Sequence, residues 1–166
     1  VKDAIKTRKV AILAGDGVDD ADLLGMKKAL LEAGAQSKVI APRLGTLESA
    51  KGAQIHIDFS LLTSSSVLFD AIYIPGGDKS VYALQQEADA VEFVKEAYKH
   101  CKTLAASGAG GEFLRAACLD REGDRNTEDK GLIVGQEGDI RSVASKFITA
   151  MCQHRHWERE LKAQLA

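Results

Sequence analysis

Short apolar runs recur along the chain, and turns rich in glycine or proline follow most of them. The first run, KVAILA at residues 9–14, consists of residues that favour β-strands and precedes the turn Gly15-Asp16-Gly17. A small hairpin near Gln54–Ile57 is predicted in the more polar middle of the chain. Further strands are predicted, in chain order, at residues 37–41, 69–74, 103–106 and 131–134.

Apolar residues spaced three and four apart predict helices between these strands. The first helix ends at Gly34, because glycine is common just after a helix C-terminus. Residues 119–129 are so highly charged that a solvated loop is predicted there. The inward faces are predicted to be Leu23, Met26, Leu30 and Ala33 in the first helix, Val91, Val94, Tyr98 and Cys101 in a helix at residues 89–101, Phe113, Leu114 and Ala117 in a short helix, and Val143, Phe147 and Met151 in a helix at residues 139–165.

This alternation of strands and helices predicts an α/β fold of the flavodoxin-like type, with a doubly wound, mostly parallel sheet and helices on both faces. A strand, a helix and a strand of these lengths imply a right-handed crossover. In such sheets ligands bind beyond the carboxyl ends of the strands, where the strand order reverses. The candidate site therefore comprises residues 15–22, 75–78 and 107–111.

Composition narrows the function further. The 166 residues are 45% hydrophobic and 28% charged, which fits a single domain over residues 1–166. The formal net charge of −2 is spread along the chain and provides no cationic surface for nucleic acid, and no apolar run reaches the length of a membrane span. Cys101, Cys118 and Cys152 are too few and too widely spaced for a disulfide framework, so reduced, mostly buried thiols are expected.

The segment FDAIYIPGG (residues 69–77), preceded by KVAILA, resembles the PfpI-type branch of the class I glutamine amidotransferase-like superfamily. That resemblance implies a cysteine on a nucleophile elbow after the strand at residues 103–106, assisted by a carboxylate from the first helix. Aligning the glycines puts Asp22 at the carboxylate position and Gly108 at the cysteine position. Glycine has no nucleophile, and the neighbouring Ser107 is expected to point differently from a residue at the apex of the turn.

We therefore expect no catalytic residues, but a vestigial site at Asp22, Ser107 and Gly108. The histidines are at positions 56, 100, 154 and 156, and none follows Gly108 where that branch often has one. An alternative is a PfpI-type hydrolase or glyoxalase-like enzyme that uses Ser107 or Cys118 with Asp22. Asp22 also has a structural interpretation, which we favour, because an acidic residue in the first turn stabilises the positive end of a helix dipole.

The chain resembles most closely the C-terminal domain of large-subunit haem catalases, which shares this frame and lacks the elbow cysteine. The segments that carry this resemblance are DGVDDADLL (residues 16–24), EAYKH (96–100) and HRHW (154–157). The start at Val1 rather than Met fits a domain separated from a longer catalase chain.

The resemblance implies an architectural role. The parent chain would hold haem and decompose hydrogen peroxide, whereas this domain would hold no metal or cofactor and would stabilise the oligomer. Its expected partners are the haem catalase domain and its oligomer mates, with no nucleic acid and no membrane. A second hypothesis is a chaperone-like holdase that binds unfolding client proteins through apolar patches.

Overall fold

A computed structural model of the chain describes residues 5–118 and 131–152. Eight strands are present in this part of the chain: β1 (Lys9–Leu13), β2 (Gln36–Ala41), β3 (Gly45–Glu48), β4 (Gln54–Ile57), β5 (Phe59–Ser60), β6 (Ala71–Ile74), β7 (Thr103–Ser107) and β8 (Leu132–Gly135). The helices are α1 (Asp20–Glu32), α2 (Asp78–Gln85), α3 (Ala88–Lys99), α4 (Ala109–Cys118) and α5 (Ile140–Met151), with a 3-10 helix at Ser66–Leu68.

Six strands form one sheet in the order β5-β2-β1-β6-β7-β8, and every neighbouring pair in it is parallel. Leaving aside the two-residue edge strand β5, the order is that of flavodoxin-like folds, so the predicted fold class is confirmed. The strand order reverses between β1 and β6. The predicted hairpin is also confirmed, since β3 and β4 pair antiparallel outside the main sheet.

Helices cover both faces of the sheet, as predicted. On one face, α1 and α5 bury apolar side chains that include Met26, Leu30 and Phe147. On the other face, α2, α3 and α4 do the same with residues that include Leu84 and Phe93. Because both faces are covered, the central strands are buried and apolar apart from the exposed Lys9 at the start of β1, which is typical of parallel sheets.

The ends of α1 follow from local chemistry. The Asp19 carboxylate accepts a hydrogen bond from the backbone N–H of Asp22 at 2.9 Å and so caps the first turn. At the other end, Gly34 has a φ of +86°, the left-handed conformation that often follows a helix C-terminus. The cap fixes the position of Asp22 in the first turn, directly below the carboxyl ends of the strands.

Three features differ from the prediction. Helix α2 was not predicted, because its eight residues present too short an apolar row to be recognised. The inward face of α3 is Ala90, Phe93, Val94 and Ala97, whereas Val91 and Tyr98 are only partly buried and Cys101 lies beyond the helix. The prediction followed the larger side chains, and the small alanines that pack against the sheet gave too weak a signal.

The third difference concerns Ser107, which is the last residue of β7 rather than part of the following turn. The predicted loop at residues 119–129 and the predicted helix beyond Met151 lie outside the described residues. Within the described ranges, no helix is both long and apolar enough to cross a membrane.

Candidate functional site

The candidate site lies at the carboxyl ends of β1, β6 and β7, where the strand order reverses. The turns after β1 and β6 touch there, and Gly77 is the point of contact. Its φ is +106°, and a Cβ atom added to it would lie 2.5 Å from the carbonyl oxygen of Gly17 and 2.9 Å from the backbone nitrogen of Asp19. Glycine at this position therefore allows the two turns to pack directly against each other.

Asp22 is fully buried beside these turns. Its Oδ2 accepts a hydrogen bond from the N–H of Gly76 at 3.0 Å, and its Oδ1 accepts one from the N–H of Gly138 at 3.2 Å. Burial raises the pKa of the Asp22 carboxyl, and the two amide hydrogen bonds only partly oppose that effect. The carboxylate thus joins α1 to the turn after β6 and to the loop after β8.

Gly108 occupies the turn between β7 and α4, with a φ of +55°. This is the left-handed conformation that a strained nucleophile elbow also requires of its central residue. A Cβ atom built on Gly108 would lie 3.0 Å from the Cβ atom of Glu137 and 3.7 Å from its Cγ atom. A side chain at position 108 would therefore press against Glu137, which would have to shift by a few tenths of an ångström.

Glu137 covers the neighbouring turn as well. A Cβ atom added to Gly76 would lie 3.1 Å from the Glu137 Cγ atom and 2.8 Å from the Oδ2 atom of Asp22. Partial burial raises the pKa of Glu137, and the negative charges of Asp19, Asp22 and Asp78 raise it further. Glu137 thus lies over the candidate site at a cost in electrostatic repulsion.

Ser107 faces the opposite direction, towards the interior under α5. Its Oγ lies 2.7 Å from the hydroxyl oxygen of Tyr73, and both side chains are fully buried. The Tyr73 ring packs against that of Phe147, with ring centroids 6.3 Å apart. Burial strongly raises the pKa of Tyr73, so its hydroxyl stays neutral. Among the described residues, no histidine or carboxylate forms a hydrogen bond with the Ser107 hydroxyl.

Asp19, Asp22 and Glu137 form an acidic cluster, in which one oxygen of each lies within 4.8 Å of the others. Carboxylate oxygens suit hard cations such as Mg²⁺ and Ca²⁺. The Asp22 oxygens, however, already accept two backbone amides, and Asp19 caps α1. We therefore treat the cluster as a group of neighbouring carboxyls that serve structural roles and assign no metal to it.

The other chemically active residues lie away from the elbow. His56 is on the hairpin strand β4, and His100 follows α3, where it lies 3.5 Å from Glu96. Cys118 ends α4, the helix that begins at the elbow, so at 1.5 Å per residue it lies about 15 Å from Gly108. The predicted segment HRHW at residues 154–157 is outside the described part of the chain.

A second, polar cleft of about 600 Å³ lies between the turn after β1, the hairpin and α2. Two of its charged groups are paired, because the guanidinium of Arg43 donates to both carboxylate oxygens of Asp16 at 3.1–3.2 Å. The amide of Glu48 also donates to Asp16, and this hydrogen bond is the main reason that the pKa of Asp16 is lowered. These contacts fix the hairpin against the sheet.

Sequence reasoning identified Asp22, Ser107 and Gly108 but missed Tyr73 and Glu137. Tyr73 was treated as an ordinary residue of a buried strand. Glu137 lies in the segment GQEG, and the polar loop after β8 ends at the same edge of the sheet as the elbow. The available signal for Glu137 was that β7 and β8 are parallel neighbours, because the loops after two such strands lie at the same edge of the sheet.

The fold places the chain in a known structural class. A ThiJ/PfpI domain protein from Brachyspira murdochii superposes with a TM-score of 0.76 at 19% identity, covering 89% of this chain and 98% of that one. Schizosaccharomyces pombe DJ-1 superposes with a TM-score of 0.69 at 17% identity, covering 87% and 90% of the two chains. The chain thus has the DJ-1/ThiJ/PfpI-like fold.

The particular family follows from sequence. The model of the C-terminal domain found in long catalases matches residues 6–160, and the chain belongs to that family. Catalase HPII of Mycobacterium avium is 36% identical over 97% of this chain, and Catalase-2 of Bacillus subtilis is 34% identical over 93%. The chain spans only 24% and 21% of these two relatives. The predicted resemblance is confirmed.

The contact between Tyr73 and Ser107 predicts a coupled loss of stability. Tyr73→Phe and Ser107→Ala should each lower the free energy of unfolding by about 1–3 kcal/mol, because each leaves a buried hydroxyl without its partner. The double variant should lose less than the sum of the two, by at least about 0.5 kcal/mol. Urea unfolding measures all three, with the exposed Tyr82→Phe as the control. Strictly additive losses of unfolding free energy would show that the two hydroxyls do not interact.

The acidic cluster predicts that Glu137→Gln stabilises the protein at neutral pH. The pKa of Glu137 is raised on folding, so its contribution to stability is fully present below the ordinary value of about 4.3 and is lost as the pH rises through the folded pKa. The variant should therefore unfold at higher urea than the wild type at pH 7, and the difference should shrink towards pH 4. Glu92→Gln on α3 controls for the removal of one charge. A stability difference between the variant and the wild type that does not change with pH would contradict this prediction.

Proposed function

We propose that this chain is a non-catalytic C-terminal domain of a long haem catalase and that it stabilises the assembled enzyme. The proposal rests on the geometry of the turn at Gly108. Gly108 supplies no nucleophile, and the Glu137 side chain occupies the space above it. Thiolate chemistry at an elbow needs both a sulfur atom and room for a substrate beside it.

The relatives support the second part of the proposal. Three relatives that are 34–36% identical to this chain are named as catalases, and the matched part makes up 21–24% of their length. Haem, and the decomposition of hydrogen peroxide, would then belong to the remainder of such a chain, and we assign no residue of the present domain to the cofactor. Its partners would be that catalase domain and the other subunits. Contacts made only in the native assembly shift the unfolding equilibrium towards it.

The geometry does not favour the alternative of a hydrolase or glyoxalase-like enzyme. Ser107 needs a base within hydrogen-bonding distance, and its partner is the neutral hydroxyl of Tyr73. Cys118 is at the far end of α4 from Asp22 and Gly108. Asp22 itself is engaged by two backbone amides, which is the arrangement expected of a structural carboxylate.

Removal of the domain from the long catalase tests the architectural role. A chain that lacks the part matching residues 6–160 should keep its haem and its turnover per haem at ambient temperature, but its inactivation temperature should fall by at least about 3 °C. Haem content and the mass of the assembled enzyme are measured in parallel on the intact and shortened enzymes. Unchanged thermal inactivation would refute the stabilising role, and loss of turnover in a haem-loaded shortened enzyme would indicate a more direct part in catalysis.

We propose a holdase activity as a second role, and one observation favours it. The described part of the chain exposes eight large apolar side chains: Leu24, Leu31, Leu44, Phe59, Leu62, Val67, Leu68 and Tyr82. Where such side chains form a contiguous patch, the patch is a candidate site for binding other proteins. In this role the surface would hold segments of unfolding clients.

The chain should then suppress light scattering by a heated client protein at sub-stoichiometric to equimolar ratios. Replacing exposed leucines by serine, as in Leu24→Ser with Leu31→Ser, should reduce the protection roughly in proportion to the apolar area removed. Glu92→Gln, an exposed change without apolar loss, is the control. Absence of protection at equimolar chain, or equal protection by all variants, would exclude the holdase role.

A further inference from the structure

Four of the exposed apolar side chains belong to one segment, which begins at the edge strand β5 and ends with the 3-10 helix. We call them the edge patch: Phe59 (38% exposed), Leu62 (79%), Val67 (69%) and Leu68 (54%). The whole segment from Phe59 to Phe69 reads FSLLTSSSVLF and contains no charged residue, in a chain that is 28% charged. The centres of protein interfaces are likewise depleted of charged residues and enriched in aromatic ones.

The edge patch is held in a fixed shape. A turn closes through a hydrogen bond from the N–H of Thr63 to the carbonyl of Ser60, and the Ser65 side chain caps the 3-10 helix. The ammonium group of the buried Lys102 donates to the carbonyl of Ser66 beneath it. A surface that is already ordered loses little conformational entropy when a partner covers it.

An aromatic row connects the patch to the core. The ring of Phe59 packs edge-on against that of Phe69, with centroids 6.3 Å apart, and Phe69 packs against Phe93 of α3 at 6.0 Å. Phe69 is buried and Phe59 is at the exposed end of the row. Burial of Phe59 by a partner would complete a row that the domain itself leaves open.

The position of the patch indicates which partner covers it. Asp70, which follows Leu68 and Phe69, accepts a hydrogen bond from the N–H of Lys9 at 2.8 Å, and Arg8 lies 3.8 Å from its carboxylate. The Leu68 end of the patch is therefore close to the start of β1, whereas Phe59 is level with the carboxyl end of β2. In the long catalases this family is the C-terminal domain, so the remainder of such a chain precedes it and leads into β1.

We infer that the edge patch docks this domain onto the preceding catalase part of its own chain. The inference rests on the proposed function and specifies the surface that would perform it. The four side chains offer on the order of a few hundred Å². A second free copy would need about 800 Å² per partner for a stable complex, whereas a domain on the same chain is held at an effective concentration in the millimolar range. The small patch therefore suits a tethered partner.

The test uses the long catalase with Leu62→Ser, Val67→Ser and Leu68→Ser combined. All three side chains point to solvent in the domain, so the fold should persist, and circular dichroism checks that it does. We expect a protease to cut between the two parts at least about tenfold faster than in the wild type, and thermal inactivation to approach that of the enzyme without the domain. Leu24→Ser with Leu31→Ser, a pair of comparably exposed leucines on α1, should change neither readout more than about twofold.

The outcomes separate the docking surface from the proposed function. If removal of the domain lowers the inactivation temperature but the edge-patch variant behaves as the α1 control does, the stabilising role stands and the docking surface is wrong. If the edge-patch variant changes the mass of the assembled enzyme instead of the cleavage rate, the patch binds another copy, and the inference is overturned. Should the triple variant fail to fold, Leu62→Arg alone places a charge in the patch and must give the same acceleration of cleavage.

Discussion

The arrangement at the carboxyl edge of the sheet depends on one buried carboxylate. Asp22 is held in the first turn of α1 by the Asp19 cap, and its two oxygens bind amides from the turn after β6 and from the loop after β8. These three segments are far apart in the chain, and a backbone hydrogen bond from Asp19 to the carbonyl of Gly76 also joins the first two. The carboxylate loses hydration when it is buried, and the two amide hydrogen bonds offset part of that cost. Asp22 is therefore the anchor for these loops.

The same anchor explains how Glu137 comes to lie over the elbow. The loop after β8 is fixed through the amide of Gly138, and this places the adjacent Glu137 side chain above Gly76 and Gly108. A glycine at position 108 makes room for it, because any side chain there would meet Glu137 at contact distance. Gly108 and Glu137 therefore fit each other, because a Cβ atom at position 108 would lie only 3.0 Å from the Glu137 Cβ atom. The proximity of three carboxyls is the electrostatic cost of this arrangement.

Sequence reasoning reached the fold and part of the site for reasons that are visible in individual residues. Continuous apolar runs, such as the one at residues 9–14, identify strands buried on both faces, and Gly34 marks the end of α1. The contact between Tyr73 and Ser107 was not predictable, because it joins side chains 34 positions apart on neighbouring strands and depends on their register. The inward face of α3 was missed because Ala90 and Ala97 contribute little hydrophobic signal although they pack closely. Glu137 was missed because its position is set by a loop rather than by periodicity.

The two proposed roles of the apolar surface constrain each other. If the catalase part of the chain covers the edge patch, the patch side chains cannot hold an unfolding client at the same time. The patch would become available only when the domain separates from its partner, which is favoured by heat. Leu24 and Leu31 on α1 lie outside the patch, so coverage of the patch alone would leave them exposed. A holdase that depended on the edge patch would therefore act only in a catalase that has begun to come apart, whereas one that depended on α1 would act in the intact enzyme.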